Sequence, residues 1–288
     1  TVAFLVELFE PPQLASAQRG RDESTFTWTG QLAAGATLVI RSGNGPITVR
    51  EASGNQVEVR AQKIVRSGGS IRDVAFGVNE SSGQVEICTL YAGQTSCRDR
   101  GGTRNIRVRV AFTVMMPRSS RLQVATGNGE IKVERGGADV SATTGNGDVS
   151  IGETQGRVDV TTGNGDVNVD GANGPVTVTT GNGRIFVLTS RGSVDANTGH
   201  GDIDARIKSL PLESDMRFNS GSGAIRVSLP SDFNGRIDAT TGNGTLQSEF
   251  EISVLGRLDA QHVRGTIGRG GPLIRMSTGN GLIELKKG

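Results

Sequence analysis

The chain predicts an all-β fold, a parallel β-solenoid (β-helix) with about 18 residues in each regular rung and two short strands per rung. The first observation is a repeat. Thr-Gly-Asn-Gly and its variants put the first turn glycine at Gly127, Gly145, Gly163, Gly181 and Gly199, always 18 residues apart. A unit this short cannot bury its own apolar face, so copies must stack into a continuous core. The second is alternation with period two: in the unit 147–165, Val149 and Ile151 share one parity, and Val158, Val160 and Thr162 share the other strand's inward parity. The third is the failure of the helical alternative. A glycine every few residues would cost a helix roughly 1 kcal/mol each, and no apolar stripe recurs at 3.6 spacing.

Each rung is thus read as two strands separated by two turns, with Asp148, Ser150, Arg157, Asp159 and Thr161 facing outward. The expected core ladders are Ile131, Val149, Val167, Ile185 and Ile203 on one strand, and Val140, Val160, Val178 and Ala196 on the other. Branched side chains suit such a pleated, half-buried surface. At the turn, Gly-Asn-Gly offers three successive residues tolerant of positive φ. Stacking places Asn128, Asn146, Asn164 and Asn182, with the later Asn243 and Asn280, in a structural amide ladder at ~4.8 Å spacing. The threonines just before the turns, Thr126 to Thr278, should point inward and bond nearby backbone.

The pattern loosens after residue 199 without ending. Turns follow at Gly221, Gly242 and Gly279, and His262-Val263-Arg264-Gly265 reads as a degenerate copy, giving nine turns between Thr126 and Gly281. Parallel crossovers favour a right-handed coil. Eight intervals make a stack roughly 40 Å long at ~4.8 Å per rung.

Along the chain, residues 1–17 read as a signal-peptide remnant or an N-terminal arm. Val2-Ala3-Phe4-Leu5-Val6 is apolar, and Ala15-Ser16-Ala17 has the small-x-small form that signal peptidases cut. The apolar run is too short to span a membrane as a helix. Residues 18–120 form an irregular N-terminal β region. Within it, 18–36, with Phe26, Trp28 and Gly30, is a lead-in strand covering the first rung, 37–65 holds a rung or two around Ser42-Gly43-Asn44-Gly45, and 66–116 forms longer strands. Residues 121–288 form the regular solenoid. Pro117 and Pro230 mark strand exits, and insertions after Gly199 and Gly221 form small loops. The last rung, Leu282 to Leu285, ends in Lys286-Lys287 with no evident cap.

Composition agrees with tight turns and thin core layers: 43 Gly, one Trp, one Tyr and nine Phe in 288 residues. A net charge of +2 is not a nucleic-acid footprint. Cys88 and Cys97 flank a short loop, and with only two His in the chain a local disulfide is favoured over a metal site. The residues call for no cofactor.

Trp28 with Gly30, the early Ser42-Gly43-Asn44-Gly45-Pro46-Ile47-Thr48-Val49, Met116-Pro117 and the serial Thr-Gly-Asn-Gly-Asp-Val resemble the bacterial family DUF4097, whose members are proposed adhesins. The resemblance covers nearly the whole chain and implies a β-helical protein of the cell envelope or surface. It brings no catalytic residues with it, and its motifs specify fold rather than function.

The function expected first is non-enzymatic adhesion by an exported protein, at the cell surface, outside the cell or in the periplasm. Its partner would be a polysaccharide or cell-surface component, and no nucleic acid. The candidate outward face comprises Asp159, Thr161, Thr177, Thr179, Asp195, Asp238 and Thr240. The main rival is self-assembly, with copies of the chain joined through the N-terminal arm and bare solenoid ends into filaments. A polysaccharide-active enzyme would need a charged cluster that breaks the repeat. His200 in a turn and His262 at a core-like Thr position read instead as irregularities. Asp148, Asp166 and Asp202 after the turns suggest Ca2+, but calcium wants six to eight oxygens and one carboxylate per rung is thin. The partial Thr file 143, 161, 179, 240 is too irregular in its neighbours for ice binding.

Overall fold

The computed structural model describes residues 17–99, 107–209, 214–254 and 261–288. Of the segment 1–17 only Ala17 falls within them, so the leader or arm reading lies outside the described residues.

Among the described residues, thirteen strands form one sheet and twelve the other, and most neighbours within each run parallel. The two sheets enclose one hydrophobic core. Each regular rung gives one strand to each sheet, with the Gly-Asn-Gly turn between them: Val158–Asn164 in the thirteen-stranded sheet, then Val167–Ala172 in the twelve-stranded one. This is the parallel β-solenoid that period, parity and turn chemistry predict.

Inward parity is as expected, but one ladder shifts by a single inward step. Ile131, Val149, Val167, Ile185 and Ile203 stack directly. Val140, however, stacks on Val158, Val176 and Val194, while Val160, Val178 and Ala196 continue from Ala142. Both ladders are buried; parity identifies a face, whereas only the turn's alignment fixes which inward residue meets which.

The turns show why the motif holds its form. Of the two glycines in the turns at 127–129, 145–147, 163–165, 181–183 and 279–281, only the last takes positive φ, as at Gly165 (φ +154°). The first glycine is required by close approach: a Cβ on Gly163 would lie 2.4 Å from the carbonyl oxygen of Gly145 in the preceding rung. The amide of Asn164 donates to Asn146 Oδ1 at 2.8 Å, and that of Asn182 to Asn164 at 2.7 Å. The Thr hydroxyls turn inward and tie rung to rung, Thr162 Oγ1 donating to the Gly147 carbonyl at 3.1 Å and Thr180 to that of Gly165 at 3.1 Å.

Stacking does not follow chain order at either end. Strand Thr37–Asn44 pairs directly with Arg121–Asn128, so rung 37–51 belongs to the regular stack and 56–116 is an excursion. On the outer side of rung 37–51 lie Gln84–Tyr91 and Val108–Met116, both parallel to it. They make a further rung, and no Gly-Asn-Gly motif stands between its two strands in the sequence. Antiparallel strands then close this end: Thr25–Gln31 pairs with Gln56–Val65, which pairs with Val108–Met116. The lead-in strand therefore covers this closing layer and not the first rung. Phe26 stacks on Phe76 at 4.5 Å, and Phe76 meets Phe112 edge-on at 6.1 Å. Trp28 is buried, its indole N–H donates to Glu80 at 3.0 Å, and its ring occupies the space a side chain at Gly30 would need. The buried Lys63 ammonium donates to the carbonyls of Gly20, Arg21 and Ile71.

At the other end, rung 273–287 is inserted between rungs 216–229 and 235–248. The expected bare last rung is thus interior, flanked on both sides. His262–Ile267 is not a turn of the coil: it runs antiparallel to Gly235–Asn243 at the sheet edge. Eight turns therefore lie between Thr126 and Gly281, and the ninth is the early copy at 43–45. Ser253 bridges Thr266, and buried Phe250 packs edge-on against Phe233, covering the end of the core.

Cys88 and Cys97 are joined in a disulfide with Cα atoms 5.6 Å apart. It folds the segment after Tyr91 over Ala75 and Leu90 on the outside of the sheet, at the rung lacking the Gly-Asn-Gly turn. Replacing both cysteines by Ala is expected to cost about 2–3 kcal/mol in denaturant unfolding, through the freed loop entropy of the unfolded chain. An unchanged unfolding midpoint would contradict this. Within the loop, Asp99 accepts hydrogen bonds from the backbone N–H groups of Thr95 and Ser96 and from both hydroxyls. These lower its pKa from the ordinary 3.8 to about 2. A depressed acid stabilises the folded loop fully above the unfolded value, and that contribution is lost as pH falls through the folded one. The Thr95 and Ser96 amide resonances should accordingly titrate near pH 2; a midpoint near 3.8 would show that the cap does not hold.

Candidate functional site

The outer face of the thirteen-stranded sheet carries two polar files. One runs Ser141, Asp159, Thr177, Asp195, Arg217, Arg275 and Asp238 in cross-strand register. The other runs Thr143, Thr161, Thr179, Asn197, Asn219, Ser277 and Thr240. Asp159, Thr161, Thr177, Thr179 and Asp195 are brought together on three consecutive strands. Thr240 and Asp238 share the face but stand apart from them, since the strands of Arg217 and Arg275 intervene.

Hydrogen bonds order the face locally. Asn219 donates to Asn197 Oδ1 at 2.8 Å, and Asn197 donates to Asp195 Oδ1 at 2.7 Å. Such a chain aligns hydroxyl and amide groups of neighbouring rungs at about 4.8 Å, a spacing suited to repeating polar groups.

Asp238 is no free surface carboxylate. Its side chain is 15% exposed and lies 3.0 Å from His262 Nε2, 3.4 Å from Arg264 and 3.7 Å from Arg275. Burial alone would raise its pKa, but hydrogen bonds from His262 and Arg264 outweigh it and hold the carboxyl below the usual range. His262, expected at a core-like position, pairs in register with Thr240 on this outer face because its strand is antiparallel. The cluster fastens the edge strand to its neighbour.

The carboxylates after the turns are likewise taken up by the coil. Asp148 Oδ1 accepts the Asp166 N–H at 2.8 Å, Asp166 accepts that of Arg184 at 2.7 Å, and Asp202 that of Ala224 at 2.8 Å. The Arg184 backbone bond, against the opposing pull of burial, keeps Asp166 below the ordinary carboxylate range. Among the described residues there is no group of three or more His, Cys, Asp or Glu placed to hold a metal ion.

Alongside the first file lies a groove of about 460 Å³, lined in part by Arg157, Thr177, Asp195, Asp215, Arg217 and Arg275. Of its arginines, the sequence pattern named Arg157 only as an outward residue and did not single out Arg217 or Arg275. The signal was present in Met216-Arg217-Phe218 and Ile274-Arg275-Met276, where alternation turns each Arg outward. Their adjacency depends on the inserted C-terminal rung.

Fold, turn chemistry and capped ends define a parallel β-solenoid with ordered polar outer files. The chain belongs to the DUF4097 family: the family model described as Toastrack DUF4097 matches residues 36–286. Among curated proteins none matches. Solved structures similar to it include a "putative adhesin" from Bacteroides fragilis at 12% identity and TM-score 0.47, covering 91% of this chain and 96% of the other. A "putative lipid binding protein" from Parabacteroides distasonis gives 11% and 0.44, covering 91% and 96%. A "putative cell adhesion protein" from Clostridium sporogenes gives 8% and 0.30, covering 92% and 100%. Likenesses this loose carry neither mechanism nor partner across.

Proposed function

We propose that the chain is a non-enzymatic adhesion module of the cell envelope, presenting the outer face of its thirteen-stranded sheet to a polysaccharide or other repeating cell-surface component. The observation that supports this reading is the pair of polar files held in register from rung to rung. A disulfide fits an exported protein, and no helix among the described residues is long and apolar enough to cross a membrane. Asp159 and Asp195 are separated by the strand of Thr177, and Asp238 is engaged by His262 and two arginines, so the face supplies a display of polar groups instead of a paired acid and base.

The reading is tested by replacing Asp159, Thr161, Thr177 and Thr179 with Ala, rung by rung, and measuring retention on insoluble cell-wall material. Stepwise loss is expected with each rung. Retention unchanged in all variants would remove the face from the account. For the filament alternative, the rung expected to be bare is covered on both sides, so self-assembly would have to use the N-terminal arm and the edge strands Leu246–Ser248 and His262–Ile267.

A further inference from the structure

We propose that the groove formed by Arg157, Arg217 and Arg275 binds the carboxylate groups of an acidic polysaccharide. This rests on the adhesion reading and names the chemical class of its ligand. Arg217 pairs directly with Arg275 on the neighbouring parallel strand, both pointing outward, about 4.8 Å apart along the stack. Like charges directly opposite on a sheet are destabilising. Arg275 leans toward Asp238 at 3.7 Å, already shared with His262 and Arg264. Arg217 has no carboxylate within ion-pair distance among the described residues, although Asp195 is its register neighbour on the other side. An oxygen of Asp195 is occupied by the Asn197 amide. The Arg157 side chain, at the corner of the same groove, is likewise without an ion-pair partner among the described residues.

The groove lining thus holds three guanidinium groups and two carboxylates, Asp195 and Asp215, the latter accepting the Leu273 N–H at 2.8 Å, while Asp238, beside it, is shared between Arg275 and its own partners Arg264 and His262. The groove is left with net positive charge and donors in excess. A guanidinium fork matches a carboxylate in two parallel hydrogen bonds, which selects a planar anion over a neutral hydroxyl. From the rung that follows Arg157 to that of Arg275 there are four strand intervals, about 19 Å, enough for more than one anionic group. The groove continues into Thr177 and the hydroxyl and amide file beside it, where the neutral part of a sugar chain would lie. This combination, spaced cations next to hydroxyl acceptors and donors, fits a uronic-acid polymer.

The test compares the full chain with its Arg217→Gln/Arg275→Gln variant for binding to a polyuronate and to a neutral glucan of equal length. Arg184→Gln, at a turn outside the groove and paired with Asp166, is the control for loss of a positive charge elsewhere, compared also with Arg217→Gln alone. The double variant should bind polyuronate at least about tenfold more weakly, since two charge-assisted contacts are lost, while Arg184→Gln binds as the parent does. The melting midpoint of the double variant should stay the same, because relief of the like-charge contact offsets the lost Arg275 pair and Asp238 keeps His262 and Arg264. A lowered midpoint would make the arginines structural and overturn the proposal. So would equal losses in Arg184→Gln, which would mean a general charge effect. If the parent is retained on cell-wall material but ignores polyuronate, the groove proposal falls and the adhesive reading stands. If the parent binds neither, both fall.

Discussion

A chain ending at Ile267 is expected to lose the C-terminal third of the fold, and not merely to fray. The removed rung 273–287 lies between rungs 216–229 and 235–248. It carries Ile274, Met276, Ile283 and Leu285 at 0–2% exposure. Burying such a side chain stabilises by roughly 1.5–3 kcal/mol, so the four together contribute on the order of 6–12 kcal/mol, comparable with the whole stability of a typical domain. The cut also opens a gap in each of the two sheets, with two edges facing each other across the missing strand, each a template for aggregation. The expected result is a melting midpoint more than about 10 °C lower, with aggregation on size-exclusion chromatography. If the truncated chain melts like the parent, rung 235–248 must already rest on 216–229, and the inserted order is wrong.

Gly163→Ala is expected to destabilise by about 3 kcal/mol, near the upper end for overpacking. The new Cβ would meet the Gly145 carbonyl oxygen at 2.4 Å, and that atom is backbone locked into the neighbouring rung. The strand can relieve the contact only by separating rungs, which weakens the Asn146, Asn164 and Asn182 amide bonds and the Thr162 tie together. Asn164→Ala removes two ladder bonds from an exposed turn and is expected to cost only about 1 kcal/mol. Urea unfolding of the two variants ranks them. If Asn164→Ala proves the more damaging, the amide ladder and not the close approach of glycines dictates the motif.

These cases also show what local pattern can and cannot reveal. The 18-residue period, the inward parity of Val149 or Ile185, and the inward Thr hydroxyls were legible because each depends on residues a few positions apart. The two-residue shift between Val140 and Val160 was not, since both are inward and only the turn alignment separates them. Chain order at the ends was hidden for a different reason. Thr278-Gly279-Asn280-Gly281 is identical to the earlier turns, so nothing local shows that it stacks beside Ser220-Gly221-Ser222 and ahead of Thr241-Gly242-Asn243. That non-local choice determines whether Arg217 and Arg275 are neighbours. It also moves His262 from an apparent coil turn to an edge strand against Asp238. The polar files of Asp159 and Thr161 could be read directly, while the arginine groove needed the assembled stack.

A face of regularly spaced polar groups should read a polymer of regularly spaced sugars. The most direct measurement is the affinity of the intact chain for cell-wall polysaccharide cut to graded lengths. Affinity should climb with fragment length and level off once a fragment spans the stack, roughly 40 Å at about 4.8 Å per rung. Full affinity already reached with one or two sugar units, or none at any length, would contradict it.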